Sequence, residues 1–258
     1  MYTNYINFLS SLDKKNIQHL NFKSQGDYNS VLEHVTYEYG IEYLSLIENE
    51  FSDITKEQII EYLNINDKYG FPKKNTFNFK TNGEISCSPT SIRYIYHALL
   101  ILQHYKKNDL TEVVEVGCGY GGLFLAICFF SEIVHVKINK YHFVDLPEVC
   151  NLINNYLELN KSYINIEYQI YSSDNFGRDI KAHNLFLISN YCFTEISDEY
   201  KQQYISNLFP KCKNGFIIWQ TVFGYKIENA NKIFNKIVIE EERPQTCHLV
   251  QKNYFVYF

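Results

Sequence analysis

The chain has 258 residues, of which 46% are hydrophobic and 21% are charged, and its formal net charge is −5. This composition is typical of a globular protein with a sizeable core, and the length accommodates one large α/β domain or one such domain with a smaller appendage. The acidic balance and the lack of a long Lys/Arg run argue against nucleic acid as the main partner.

Cysteine usage and the N-terminal sequence predict a cellular compartment. The seven cysteines are scattered and never in Cys-x-x-Cys spacing, which indicates neither a disulfide framework nor a zinc site. No basic stretch followed by an apolar core opens the chain, and the longest apolar run, 123–130, is far short of the roughly 20 residues that span a bilayer. We therefore expect a cytoplasmic protein with reduced thiols and no membrane span.

The N-terminal part of the sequence is predicted to be helical. Apolar residues recur at about the helical period through residues 1–70, and Asp53 is the expected N-cap of the helix in "ITKEQIIEYL". Residues 66–86 are rich in Gly, Asn, Lys and Pro, which predicts a loop or ribbon. A further helix is predicted over 88–105, with Pro89 in its first turn.

From residue 111 onward the pattern alternates between strand and helix. The predicted strands are 112–116, 141–145, 164–170, 184–189 and 215–220, and the predicted helices between them are 122–130, 148–159 and 197–208. Such alternation indicates right-handed βαβ units and a mainly parallel sheet. The C-terminal sequence predicts two adjoining strands, 246–250 and 253–258, that close the sheet as an antiparallel hairpin.

A cluster of glycines follows the first of these strands and opens the next helix. The stretch "VVEVGCGYGGLFLAI" contains Gly-x-Gly-x-x-Gly at Gly117, Gly119 and Gly122, the pattern of dinucleotide-binding loops. Glu115, however, would repel a pyrophosphate, and a carboxylate suits a cationic ligand rich in hydrogen-bond donors. Asp145, the acidic residue expected at the ribose, follows Gly117 by 28 positions (145 − 117 = 28), against about 20 in the dinucleotide fingerprint. These features favour S-adenosylmethionine over NAD.

Two motifs resemble those of a known enzyme family. "EVGCGYGG" is similar to the Glu-x-Gly-x-Gly-x-Gly motif of class I S-adenosylmethionine-dependent methyltransferases, and "FVDLPEV" resembles the second strand of small-molecule O-methyltransferases. From about residue 30 to the end, the blocks "LEHV", "NDKYG", "SPTSIRYIYHAL" and "SNYCFTEIS" resemble the putative sugar O-methyltransferase family associated with polysaccharide modification. The resemblance implies a Rossmann-like fold with a mostly parallel seven-stranded sheet and a C-terminal antiparallel hairpin. A helical region, 1–87, would precede a cofactor-binding domain, 88–258.

The resemblance also implies a set of cofactor-binding residues. The methionine end of the cofactor would lie against Glu115, the glycine loop and the backbone of Cys118, while Asp145 would accept the ribose hydroxyls. Leu146 would pack on the adenine, and Ser173 and Asp174 would approach its amino group. The complete predicted set is Glu115, Gly117, Cys118, Gly119, Gly121, Asp145, Leu146, Ser173, Asp174, Asn190 and Tyr191.

The end of the fourth strand bears on the methyl acceptor. It reads Asn190-Tyr191-Cys192-Phe193, without the prolines of enzymes that methylate nucleobase amino groups, and it supplies no carboxylate cluster for a metal. We expect a metal-independent reaction in which a general base removes the proton of an acceptor hydroxyl. The predicted catalytic residues are Glu195, His97 and Arg93, with Glu195 the best placed and a helix cap as its alternative role. His34 and His248 are further candidate bases.

These residues lead to one functional hypothesis with alternatives. The predicted activity is transfer of a methyl group from S-adenosylmethionine to a hydroxyl of a nucleotide-activated sugar or a glycan. The alternatives are another small hydroxylated acceptor, an NAD-dependent sugar oxidoreductase, for which no Tyr-x-x-x-Lys relay is well placed, and a binding module without catalysis. The N-terminal helices are a candidate homodimer interface.

Overall fold

A computed structural model describes residues 2–12, 21–247 and 250–258 of the chain. The described residues fall into two compact units. The first consists of 2–12, 21–100, 119–135 and 151–165, and the second of 101–118, 136–150, 166–247 and 250–258. No helix among the described residues is long and apolar enough to cross a membrane.

The first unit is mainly helical. Its elements are α1 (Tyr2–Ser11), α2 (Gly26–Asn29), α3 (Tyr37–Glu50), α4 (Lys56–Asn66), β1 (Asn75–Asn78), β2 (Glu84–Cys87), α5 (Pro89–Tyr105), α6 (Gly122–Ile133) and α7 (Pro147–Leu159). Helices α5 and α7 each include residues that belong to the second unit. Strands β1 and β2 form an antiparallel hairpin, so the predicted loop or ribbon at 66–86 contains a ribbon.

The second unit contains the sheet. Its strands are β3 (Glu112–Val116), β4 (Lys140–Asp145), β5 (Glu167–Ser172), β6 (Leu185–Asn190), β7 (Cys212–Gln220), β8 (Val238–Glu241) and β9 (Asn253–Tyr257). Their order is β5-β4-β3-β6-β7-β9-β8. The first five strands in this order are parallel, and β9 is antiparallel to both of its neighbours, β7 and β8. Two helices of this unit follow β6 and β7, α8 (Asp198–Asn207) and α9 (Ala230–Ile233).

The predicted fold class is confirmed, and one strand prediction is wrong. The sheet is mostly parallel, has seven strands among the described residues, ends in antiparallel strands and is preceded by helices. The last strand pairs with β7 and with Val238–Glu241, and the described residues of the predicted strand 246–250 form no strand. Of that predicted strand, Thr246 and Cys247 are irregular, Val250 is in a bend, and His248 and Leu249 lie outside the described residues. The division between 1–87 and 88–258 stays a prediction.

A second correction concerns the start of α4. The N-cap is Thr55 and not Asp53, because the Thr55 hydroxyl accepts from the Gln58 N–H at 3.3 Å while the Gln58 side chain accepts from the Thr55 N–H at 2.8 Å. This reciprocal capping box satisfies two backbone donors that a helix N-terminus otherwise leaves unpaired. Glutamine three residues after the threonine is the sequence signal for it.

The strand register separates two faces of the sheet in the second unit. One face carries the apolar core, which includes Val114, Val144, Leu187, Ile217 and Val256, all buried. On the other face the strands are apolar along most of their length and end in polar side chains at the carboxyl edge. Ligands of open α/β sheets bind outside this edge.

Candidate functional site

Polar side chains from neighbouring strands meet at the carboxyl edge of one face of the sheet. Glu115 of β3 pairs in register with Phe143 of β4 and Ile188 of β6. Because paired residues point to the same face and side chains alternate along a strand, Asp145 and Asn190 share the face of Glu115. Three of the residues predicted for the cofactor thus come from three adjacent strands of one unit.

Glu115 is buried beneath this edge. Its side chain is 2% exposed, and its Oε2 accepts a hydrogen bond from the Tyr141 hydroxyl at 2.8 Å. Burial raises the pKa of Glu115 to about 8, with a smaller contribution from the nearby Asp145 carboxylate, while the Tyr141 hydrogen bond opposes the rise. A cation at this position would favour the ionised carboxylate, and an anion would oppose it.

Asp145 connects the end of β4 to the glycine loop. Its Oδ2 accepts from the Cys118 N–H at 2.5 Å, and its Oδ1 accepts from the Leu146 N–H at 2.8 Å. Asp145 and Leu146 are both half-buried, and the two hydrogen bonds hold the carboxylate in place. A carboxylate has about four acceptor positions, and the two bonds to backbone N–H groups fix the orientation of this one at the edge of the sheet.

Gly117 has no room for a side chain. Its φ is +80°, in the left-handed region that favours glycine, and a Cβ atom there would lie 2.2 Å from the Cβ of Cys192. Cys118 is buried beside it, and burial raises the pKa of its thiol well above the usual value. Both residues therefore shape the loop through backbone conformation and packing.

The remaining loop glycines that were predicted for the cofactor belong to the first unit. Gly119 and Gly121 have φ values of +58° and +89°. A Cβ on Gly119 would lie 3.1 Å from the Leu32 side chain. The described neighbours that a Cβ would meet at Gly117 and Gly119 are protein side chains.

Ser173 and Asp174 follow β5 in a short 3₁₀ turn, Ser173–Asn175. The Ser172 side chain caps this turn by accepting from the Asp174 N–H at 3.2 Å, and its hydroxyl donates to the Asp174 Oδ2 at 2.7 Å. Asp174 is exposed and Ser173 is half-buried. Their assignment to the adenine stays a prediction.

Asn190 is the last residue of β6, and Tyr191 follows it. The Oδ1 of Asn190 is buried and makes no hydrogen bond within the part of the chain that the structure describes. Tyr191 has a φ of +59°, and its hydroxyl donates to the Glu242 carboxylate. Glu242 is 1% exposed and was not identified from the sequence, because it lies 51 positions beyond Tyr191 (242 − 191 = 51) in no motif.

Glu195 lies in the turn between β6 and α8. Its N–H donates to the Cys192 carbonyl at 2.9 Å, and its side chain is half-buried. Helix α8 is capped by Ser197, whose hydroxyl accepts from the Tyr200 N–H at 3.3 Å. The alternative role of Glu195 as the helix cap is therefore taken by Ser197.

The other predicted catalytic residues lie on α5 in the first unit. Arg93 is 6% exposed, and its Nη2 donates to the Leu32 carbonyl at 3.2 Å. His97 is 1% exposed, and burial, with a contribution from Arg93, lowers its pKa well below the usual value. His97 is consequently neutral near pH 7. Of the two further candidate bases, His34 is exposed and His248 lies outside the described residues.

Comparisons with known proteins concern the fold. No family model matches the chain, and no curated protein matches it by sequence. Among solved structures, it is similar to the methyltransferase domain of bacterial CtHen1-CN, with 11% identity and a TM-score of 0.48 over 62% of this chain and 96% of that one. It is also similar to an rRNA methylase from Streptococcus thermophilus (11% identity, TM-score 0.41, 64% and 90% covered). A third is M. capricolum TrmK in complex with S-adenosylhomocysteine (13% identity, TM-score 0.42, 64% and 66% covered).

Proposed function

We propose that this protein is a methyltransferase that uses S-adenosylmethionine. The observation that carries the proposal is the pair of carboxyl groups, Glu115 and Asp145, at the ends of adjacent strands and on one face beside a glycine loop. Such a pair suits a ligand that has a positive charge and several hydroxyl donors and lacks phosphate. S-adenosylmethionine has an ammonium group, a sulfonium and two ribose hydroxyls.

The residues of this edge fit that cofactor. Asp145 is half-buried at the end of β4, beside the glycine loop, so its carboxylate would hold the ribose hydroxyls. The buried Oδ1 of Asn190 is an acceptor for an ammonium or hydroxyl donor. Bound S-adenosylmethionine supplies an electrophilic methyl group, and the protein orients the acceptor and removes its proton.

We further propose a sugar hydroxyl as the acceptor and Glu195 as the group that takes its proton. Support for the sugar comes from the sequence blocks that resemble sugar O-methyltransferases. Support for Glu195 comes from its place after β6, on a turn whose helix is capped by another residue. His97 and Arg93, the cytoplasmic location and dimerisation through the N-terminal helices remain further proposals.

Calorimetry tests the cofactor. We expect the chain to bind S-adenosylmethionine and S-adenosylhomocysteine and not NAD. Asp145→Ala removes an acceptor of charge-assisted hydrogen bonds, each of which contributes about 1.5–3 kcal/mol, so it should weaken binding at least tenfold. Asp109→Ala, at an exposed position of the same unit, is the matched control. Binding of NAD alone would overturn the proposal.

An assay with labelled methyl donor tests the acceptor and the base. The wild-type chain is offered nucleotide sugars and glycans, and a labelled sugar product is expected. Glu195→Gln should lower kcat at least tenfold, because general bases contribute about 10²–10⁴-fold, while S-adenosylhomocysteine binding stays unchanged. An unaltered kcat would exclude Glu195 as the base, and labelling of other small hydroxylated compounds only would exclude sugars.

A further inference from the structure

Three side-chain amides at the carboxyl edge of the sheet have buried oxygens without hydrogen bonds among the described residues. They are the Oδ1 of Asn190 at the end of β6, the Oε1 of Gln220 at the end of β7 and the Oδ1 of Asn253 at the start of β9. Buried amide oxygens in folded proteins are as a rule hydrogen-bonded. These three atoms come from three neighbouring strands at one edge of the sheet.

The strand register places the three amides on one face. Gln220 and Asn253 are paired across β7 and β9, and Asn190 is paired with Ile218, two positions before Gln220. Directly paired antiparallel residues have Cα atoms about 4.5–5.5 Å apart. Asn190 and Gln220 are one strand spacing and two residues apart, which gives about 8 Å between Cα atoms. Asn190 and Asn253 are two strand spacings and two residues apart, which gives about 12 Å between Cα atoms, a distance that the two side chains and one monosaccharide ring between them can bridge.

The orientation of the Asn253 amide is fixed by its neighbours. Asn253 is 3% exposed, and its Nδ2 donates to the Glu242 Oε2 at 2.9 Å and to the Thr246 hydroxyl at 3.0 Å. The same Glu242 oxygen accepts from the N–H and the hydroxyl of Thr246. Since the nitrogen is engaged on this side, the oxygen is the atom that remains for a ligand.

The chemistry of these groups defines the ligand. Amide oxygens only accept hydrogen bonds, so their partner must present several donors. The Glu242 carboxylate behind them opposes phosphate or another anion. A neutral ring with hydroxyl groups on neighbouring carbons satisfies both conditions, whereas an apolar ring satisfies neither.

We propose that Asn190, Gln220 and Asn253 form the acceptor subsite and bind the hydroxyl groups of a neutral sugar ring. Glu242 is a positioning residue, because it holds the Asn253 amide and the Tyr191 hydroxyl. The proposal rests on the methyltransferase function for its role in the reaction. Its binding chemistry is testable without the cofactor.

Side-chain amide resonances provide the test. Labelled wild-type chain is titrated to 50 mM with D-glucose, D-galactose, D-mannose and L-rhamnose in turn, with and without S-adenosylhomocysteine. We expect at least one sugar to shift the side-chain amide resonances of Gln220 and Asn253. These resonances are assigned by their loss in the variants Gln220→Met and Asn253→Asp. Cyclohexanol, which has the ring but one hydroxyl, should shift neither. If no sugar shifts these amides, the subsite is overturned.

Matched variants separate this outcome from failure of the proposed function. Gln220→Met should weaken the sugar response at least fivefold, Gln220→Glu should retain part of it because acceptor oxygens remain, and Gln202→Met on an exposed face of α8 should leave it intact. An equal response in Gln220→Met and wild type overturns the subsite. Sugar binding without any response to S-adenosylhomocysteine supports the subsite and overturns methyl transfer.

Discussion

Glu115 is a carboxyl group in an environment that opposes its charge. Burial raises its pKa from 4.5 to about 8, so the folded chain holds a proton there that the unfolded chain releases at much lower pH. Between these two values the folded state binds more protons than the unfolded state. The contribution of Glu115 to the free energy of unfolding is therefore present at low pH and is lost as the pH rises through about 8.

Substitution of Glu115 should reveal how its ionisation makes the free energy of unfolding depend on pH. Glu115→Gln keeps an acceptor for the Tyr141 hydroxyl and cannot ionise. From pH 5 to pH 9 the free energy of unfolding of the variant, relative to that of the wild type, should rise by up to about 4 kcal/mol. Urea denaturation across this range measures it, with Glu228→Gln at an exposed position as the control. A difference that does not change with pH would contradict the burial of an ionisable group here.

At the scale of elements, Glu242 joins the turn after β6 to the segment that leads into β9. Its two oxygens accept from Tyr191 on one side and from Thr246 and Asn253 on the other. The Glu242 N–H also donates to the Asn253 carbonyl at 3.0 Å. This single buried carboxylate therefore fixes two polar loops at the edge where the ligand is proposed to bind.

Removal of one of its donors should destabilise the protein by a predictable amount. Tyr191→Phe deletes the hydroxyl and leaves a buried carboxylate oxygen without that bond, which should lower the free energy of unfolding by about 1.5–3 kcal/mol. Thermal and urea unfolding measure the change. Tyr163→Phe, at a side chain that is 41% exposed, should cost less than about 0.5 kcal/mol. Equal stability of the two variants would show that the Tyr191–Glu242 bond does not form.

The elements that could be predicted from the sequence are those with a local signal. The central strands have apolar runs, and Glu115 and Asp145 lie in recognisable motifs at the ends of two of them. Strand β8 has two apolar residues followed by two acidic ones, and all four are exposed, so its sequence lacks the pattern of a buried strand. Gln220, Asn253 and Glu242 could not be predicted as a group, since only the pairing of β7 with β9 brings them together.

At the scale of the whole molecule, the net charge of the chain and the charge at the carboxyl edge of its sheet have the same sign. The chain has 24 Lys and Arg against 29 Asp and Glu, and the carboxyl edge of its sheet presents carboxylates and amide oxygens. Nucleic-acid binding draws its affinity mainly from cations that neutralise phosphates. An RNA acceptor would thus meet an unfavourable field both at long range and at the site.

Electrophoretic mobility of RNA in the presence of the chain tests this expectation. Non-specific binding of proteins to DNA, which depends on the same phosphate charges, has a Kd of about 10⁻⁴–10⁻⁶ M at physiological salt. We expect no retardation of a 20-nucleotide single strand or a tRNA by 10 µM chain in 150 mM salt, with a lysine-rich peptide as the positive control. Retardation with a log K that falls linearly as log salt rises would contradict the prediction. Because that slope reports the number of phosphates neutralised, it would also direct the search for the acceptor away from neutral sugars and toward RNA.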